Sequence, residues 1–294
     1  MTGGAPDRVT LGAFAGAVAI GGSNFIAVKL SNDELEPLFG AGLRFSAAAL
    51  LLVVLMRVQR LAVPRGPDLA GPALYGLLGF GVSYGLLYYA LQGLTAGTAA
   101  VFMAATPLVT LVLAVLHGQE RFTPRGVAGG LLAVGGLAVI SAESIGGDLR
   151  PSYLVAALLG VVAVAESSVL VKGFPRAHPI TTNAVGMVAG ALLLIVASLV
   201  FGEAWELPQS AATWGAVVWL VIPGSIGLFA LFVFVIKRWT ASATVYALTL
   251  MPVVAITLGA VVKDEPVTAE LLGGGALVMA AVYVGALSGR SGAV

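Results

Sequence analysis

The sequence predicts an all-α integral membrane protein. It expects ten transmembrane helices arranged as two inverted five-helix repeats, with both termini cytoplasmic. Three observations carry this. The 294 residues are 59% hydrophobic and only 10% charged, with a mean hydropathy of +1.02, whereas a soluble domain carries about 25% charged residues. So little polar surface cannot cover a water-facing molecule. Polar breaks also cut the chain into apolar runs close to the ~20 residues that a helix needs to cross the hydrocarbon core. Finally, one stretch recurs. Leu94–Ile140 matches Trp239–Gly285 at a shift of 145 residues without a gap. The shift pairs Thr95 with Thr240, Ala96 with Ala241, Pro107 with Pro252, Val109 with Val254 and Leu113 with Leu258. It also pairs Glu120 with Glu265, Thr123 with Thr268, Gly129 with Gly274, Gly130 with Gly275 and Leu132 with Leu277, ten identities in 38 positions. Apolar composition inflates chance matches, but not the joint recurrence of Pro, Glu, Thr and two adjacent Gly.

The spans fall at about 10–30, 37–57, 69–91, 95–116, 125–142, 152–171, 180–201, 212–236, 240–262 and 267–287. They must be helical, because lipid offers no partner to an open N–H or C=O. The first run, Leu11–Leu30, is too long for a signal-peptide core and is expected to be retained. Pro37, Pro124, Pro179 and Pro266 suit helix starts, where the missing N–H would be unpaired in any case.

Orientation follows from Lys and Arg. With the N-terminus inside, Arg8, Arg57, Arg60, Arg65, Arg121, Arg125, Lys172, Arg176, Lys237, Arg238 and Arg290 lie inside, and Lys29, Arg150 and Lys263 outside: eleven against three. Five spans per copy is odd, so the second copy enters from the opposite side, with Glu120 on an inner loop and Glu265 on an outer one. Weaker matches extend the repeat to earlier helices, Val28-Lys29 with Val171-Lys172 and Ala49–Leu52 with Ala191–Leu194. The expected division is 1–147 and 148–294. Inverted repeats bring a substrate site near the midplane, between the copies.

GGSNFIAVKL and PLFGAGLRFSAAALLLVVL (Gly21–Leu30, Pro37–Leu55), the hairpin Tyr89–Ile140 and its recurrence at Val235–Val284 resemble EamA-type members of the drug/metabolite transporter superfamily. The resemblance covers nearly the whole chain. It implies export of small metabolites across a bacterial inner membrane. General likeness is greatest to amino-acid exporters, including those for aromatic amino acids. One departure is Gly21, where the first helix of such proteins often carries Trp; if that Trp shapes the cavity, this cavity is wider.

Candidate residues follow span by span. Ser23 and Asn24 open a polar notch in the first helix, and the 143-residue offset of Lys29 and Lys172 brings Glu166 and Ser167 to the same depth. Arg44 sits about two turns into the second helix. It could hold a substrate carboxylate, snorkel to the surface, or tie the loop acids Asp33–Glu36. In the third helix Phe80, Tyr84 and Tyr88 add rings among glycines; an aromatic face could stack a substrate or pack, and Tyr88 could sit in the interfacial belt. Met103 and Thr106 precede the kink expected at Pro107. Tyr246 is the matching candidate in the ninth helix. Glu166 is the acid set inside a span, open to an ammonium contact, proton coupling or a bundle hydrogen bond. The glycines of the fifth and tenth helices suit close packing.

Several classes are excluded or disfavoured. Net charge is +1 and there is no cysteine, so neither a nucleic-acid patch nor thiolate chemistry is available. His117 and His178 fall in predicted loops, so no metal site and no cofactor is expected. A membrane-embedded enzyme would need Cys, His or paired carboxylates at depth, so no enzyme is expected. Without a nucleotide-binding motif, the reading is a secondary transporter working by alternating access on a small-molecule substrate in the lipid bilayer. Export of drugs or lipid precursors is the alternative. A monomer suffices, and a dimer stays open.

Overall fold

A computed structural model of the chain describes residues 7–119, 121, 123–145, 150–170, 174, 178–238 and 241–284, except the side chains at 141–145, 236–237 and 241–246. Glu120, Lys172, Arg176 and Arg290 of the charge pattern lie outside the described residues. The described residues are mostly helical, with no strand among them. In chain order the helices are α1 (Arg8–Ser31), α2 (Pro37–Val58), α3 (Gly66–Ala90), α4 (Ala96–Leu116), α5 (Pro124–Ile145), α6 (Pro151–Leu170), α7 (Pro179–Phe201), α8 (Ala211–Val235), α9 (Ala241–Lys263) and α10 (Ala269–Val282). Seven are long and apolar enough to cross a membrane; α5, α9 and α10 contribute shorter described apolar stretches.

Local chemistry explains the boundaries. Pro37, Pro124, Pro151 and Pro179 begin helices. Pro266 does not: α10 starts at Ala269, because Thr268 takes the N-cap and its hydroxyl accepts from the Leu271 N–H at 3.2 Å. Thr123 does the same for Gly126 at 3.1 Å. The recurring Thr of the sequence is thus a helix cap, which satisfies an otherwise orphan N–H. In α4 the helix breaks at Ala105, just before Pro107, and the Thr106 hydroxyl donates to Met103 O at 2.6 Å. Proline clashes with the turn before it, which sets the break upstream. Its mate Pro252 sits inside α9.

Two π-helical segments interrupt the spans, Leu77–Val82 in α3 and Ile222–Gly227 in α8. They stand 145 residues apart, the same shift as the recurring hairpin. The packing has a matching exchange. α1 lies against α8 and α9, and α6 against α3 and α4; α2 pairs with α7, and α5 with α10. Gly136 and Gly274 make the last contact, since a Cβ on either would sit about 2.6–2.7 Å from the other's carbonyl oxygen. The perimeter stays apolar: Leu131 is 71% and Val200 76% exposed, as lipid-facing side chains must be.

Candidate functional site

A cavity of ≈ 800 Å³, its mouth included, opens in the middle of the bundle. Asn24, Phe25 and Val28 of α1 line it with Tyr84 of α3, Met103 and Thr106 of α4, Val164 of α6, Phe232 of α8 and Met251 of α9. A second chamber adjoins it, lined by Phe45, Phe80, Ser167, Asn183 and Ser225, and shares Arg44, Tyr84, Val164, Leu228 and Phe232 with the first. Arg44 is the only charged residue lining either chamber among the described residues.

Arg44 is 2% exposed. It neither snorkels nor reaches the loop acids. Its Nε donates to Ser225 Oγ at 3.1 Å and its Nη2 to Gly224 O at 3.2 Å. Both acceptors belong to the π segment of α8. The guanidinium carbon lies 5.0 Å from the Phe45 ring centroid and 5.1 Å from that of Tyr84, an arrangement in which ring quadrupoles attract the cation. Among the described residues no carboxylate stands at ion-pair distance from it. Asn24 Nδ2 donates to the same Gly224 O at 3.0 Å. A Cβ at Gly224 would displace Asn24 Oδ1. Ser225 Oγ in turn donates to Leu220 O at 2.8 Å, a carbonyl just ahead of the π stretch.

The remaining candidates divide. Tyr84, Phe80, Met103 and Thr106 line the chambers, and the Phe45 and Tyr84 rings meet edge-on at 4.8 Å. Ser167 borders the second chamber while its hydroxyl donates to Val164 O at 2.7 Å. Ser23 donates to Ile20 O of its own helix. Tyr88 is fully buried rather than interfacial, close to the Arg44 guanidinium. The Tyr246 side chain lies outside the described residues. Glu166 lines neither chamber. It sits four residues from the end of α6, and its Oε1 is 3.1 Å from His117 Nε2.

The two ends of the bundle are held differently. At the Lys29 end, Lys29 Nζ is 2.6 Å from Glu265 Oε1 and donates to Leu94 O at 2.8 Å. Glu265 Oε2 accepts from the Ala96 N–H at 2.8 Å. Lys263 pairs with Asp33. Glu203 accepts from Phe39 N at 2.7 Å and Leu38 N at 3.0 Å, and Glu34 from Gln209 N at 2.6 Å. Hydrogen bonds from Ser210 and the Gln209 amide hold the Glu34 carboxyl down at about 2. The His117 end has the Glu166 contact, Gln119 Nε2 on Val169 O at 3.2 Å and a long Arg238–Asp7 pair at 3.8 Å. A separate groove beside Leu38, Leu86, Leu193 and Phe201 is larger but almost wholly apolar, and its Glu203 is already committed to the start of α2.

A helical bundle of membrane-spanning length, latched at one end around a cavity lined by a buried arginine, has the make-up of a membrane transporter. The chain belongs to the EamA-like transporter family, whose model matches residues 9–142 and again 151–286. It is 31% identical over 278 residues to the "uncharacterized inner membrane transporter YedA" of Escherichia coli strain K12, covering 93% of this chain and 89% of that one. It is 26% identical over 283 residues to a "probable amino-acid metabolite efflux pump" of Salmonella typhimurium, covering 91% of each. A crystal structure of another protein superposes with a TM-score of 0.67 at 21% identity, covering 96% of this chain and 98% of that one, a likeness of fold. The chain is therefore a multi-pass membrane transporter and not an enzyme.

Sequence reasoning missed Gly224 and Ser225. Both lie in IPGSIG, whose Pro-Gly pair within an apolar span is a visible irregularity. It also missed the Lys29–Glu265 pair, whose members no local pattern connects.

Proposed function

We propose that the chain exports amino acids or related small metabolites across the bacterial inner membrane by alternating access. The observation that carries this is the central cavity, walled by helices of both halves and lined by a buried arginine without a carboxylate partner among the described residues. Two inverted repeats, 1–147 and 148–294, are supported by the 145-residue shift of the π segments and by the exchanged packing of α1 and α6. The Lys and Arg bias supports cytoplasmic termini. In that orientation the Lys29 end is the periplasmic gate, held closed by ion pairs, and the His117 end faces the cytoplasm. The Salmonella pump's name supports the substrate class.

The described lining of the cavity comes from one chain, which supports a monomer as the working unit. Glu166 and His117 are the candidate proton-coupling pair, a carboxylate and an imidazole in contact near the cytoplasmic end. Lipid-precursor export is the second reading, drawn from the apolar groove beside Leu193 and Phe201.

The test is uptake of labelled amino acids into vesicles bearing the purified protein, with and without a pH gradient. Saturable uptake is expected. If no amino acid moves, the exporter reading fails; gradient-independent uptake removes the proton-coupled variant. Single-cysteine labelling in a chain that has none of its own tests orientation: Asp264→Cys should react from outside intact cells, and Arg60→Cys only after permeabilisation.

A further inference from the structure

The groove beside Leu193 and Phe201 runs along the side of the bundle between α2, α3 and α7. Its volume is ≈ 1180 Å³, its mouth included, and it shares no lining residue with either chamber. α3 stands between them. Phe80 and Tyr84 of α3 line the chambers, while Gly81, Gly85 and Tyr89 line the groove. The two glycines, four residues apart on one helical face, form its floor. A Cβ on Gly81 would come within 2.7 Å of Leu193, and one on Gly85 within 3.1 Å of Leu38 and Leu194. Leu86, Leu193 and Ala197 make the sides, and Phe201, 78% exposed, joins the groove to the apolar perimeter.

The groove has the depth of one leaflet and two unlike ends. From Gly81 to Gln92 it follows α3 and the turn after it, about 15 Å at 1.5 Å per residue, or half of the ~30 Å hydrocarbon core. The deep end, at the π segment, is apolar. The end beside the start of α2 carries Glu36, Gln92 and Glu203, and no Lys or Arg lines the groove among the described residues. Glu203 is bonded to the Leu38 and Phe39 amides. Glu36 stands exposed, and its side chain does not cap α2.

We propose that this groove seats one acyl chain of an outer-leaflet phospholipid whose head carries a primary ammonium, as in phosphatidylethanolamine. The ammonium pairs with Glu36, and the Gln92 amide lies beside the phosphodiester. A wall this apolar gives water no partners, and in a bilayer the chain that reaches it is a lipid tail. An anionic glycerol head would bring a second negative charge to Glu36, with no cation in the lining to offset it. The seated chain backs the face of α3 opposite Tyr84, so it supports the cavity wall without entering the cavity. The leaflet follows from the orientation proposed above; the seat and its head preference do not depend on the exporter reading.

The experiment uses the full chain in proteoliposomes of equimolar phosphatidylethanolamine and phosphatidylglycerol. A trace phospholipid carries a diazirine in one acyl chain, under either head group. After photolysis, label is expected on peptides 81–92 and 193–201 well above the lipid-facing stretch around Leu131 of α5. The ethanolamine probe should label them about threefold more than the glycerol probe, the worth of one surface ion pair. Glu36→Gln should abolish that preference and keep the label. Ala197→Phe, which fills the groove, should lower the groove label to the α5 level and leave α5 unchanged. If Ala197→Phe does not fold, Glu36→Gln, at an exposed position, decides alone. Label spread evenly around the perimeter, or equal label from both heads in the natural chain, overturns the proposal. Cross-links from the groove peptides to a second copy of the chain, in place of lipid, overturn it too. None of these readouts involves amino-acid movement, so the exporter reading stands or falls separately.

Discussion

The two walls of the cavity occupy matching positions in the two halves of the chain, yet among the described residues only one carries a charge. At the offsets of 142 to 145 residues read from the sequence, Arg44 corresponds to Gly186, Asn24 to Ser167, Gly79 to Gly224 and Phe80 to Ser225. The backbone relation persists. Ser167 lies against Gly79 as Asn24 lies against Gly224, and Gly186 lies against Phe80 where Arg44 reaches Ser225. The side chains do not match. One wall carries a guanidinium, an amide and a hydroxyl around one carbonyl; the other closes with glycines, a ring and a serine hydroxyl that is bonded within its own helix. A duplicated scaffold can move symmetrically while its recognition chemistry stays on one side.

The sharpest way to break this comparison is to remove the charge and crowd its mate. Arg44→Gln should lower amino-acid uptake about 100-fold, on the order of one to two charge-assisted hydrogen bonds. Gly186→Ala should leave uptake within about threefold and cost stability instead, roughly 1–3 kcal/mol of crowding, because its Cβ would meet Tyr75, Gly76 and Phe80 at 3.2–3.3 Å. Vesicle uptake and thermal unfolding separate the two; equal transport losses would erase the asymmetry.

The next contrast pairs the glycines. Gly224→Ala displaces Asn24 and should cost about 2 kcal/mol and about tenfold in uptake. In Gly79→Ala the added methyl meets the Ser167 hydroxyl at 3.0 Å, and that hydroxyl can turn aside, so the loss should stay under about 1 kcal/mol. Identical melting shifts would count against the structural distinction.

At the bundle ends, Glu265→Gln should destabilise by about 1 kcal/mol, since Lys29 is partly solvated and a screened pair is worth little more. His117→Asn should change stability less, and instead shift the pH dependence of uptake if the Glu166 contact carries protons. An unaltered pH profile in that variant removes the pair from coupling.

The smallest effect belongs to Glu34. Its carboxyl is lowered from 4.5 to about 2 by Ser210 and Gln209. Its stabilising contribution is therefore complete above about pH 4.5 and is lost as the pH falls toward 2. The melting-temperature difference between the natural chain and Glu34→Gln should be flat from pH 7 to 5 and vanish only below about 3. A difference that vanishes near pH 4 contradicts the hydrogen-bonding assignment.

Much of the helical layout was legible, because lipid forces apolar length and helical closure and leaves few alternatives. The recurring Thr and Pro also had local meanings, as cap and break. What was not legible was which distant residues share a face. Arg44 reads equally as a surface anchor or a buried cation until Ser225 and Gly224 are seen against it. Glu166 drew attention as an acid within a span, but four residues from a helix end its side chain can reach His117. The π segments left no clear trace, since they differ from α-helix by one hydrogen-bond step and no residue preference marks that step strongly.

Those π segments have a further consequence. A π turn holds one residue more than the α-helix it interrupts, so it acts as a phase shifter: everything beyond it is rotated by about 100°. Tyr84 follows one such shift and Leu228 and Phe232 follow the other, and all three line the cavity. Deleting one residue from Leu77–Val82 or Ile222–Gly227 would leave both spans apolar and long, and would turn their cavity faces into the lipid.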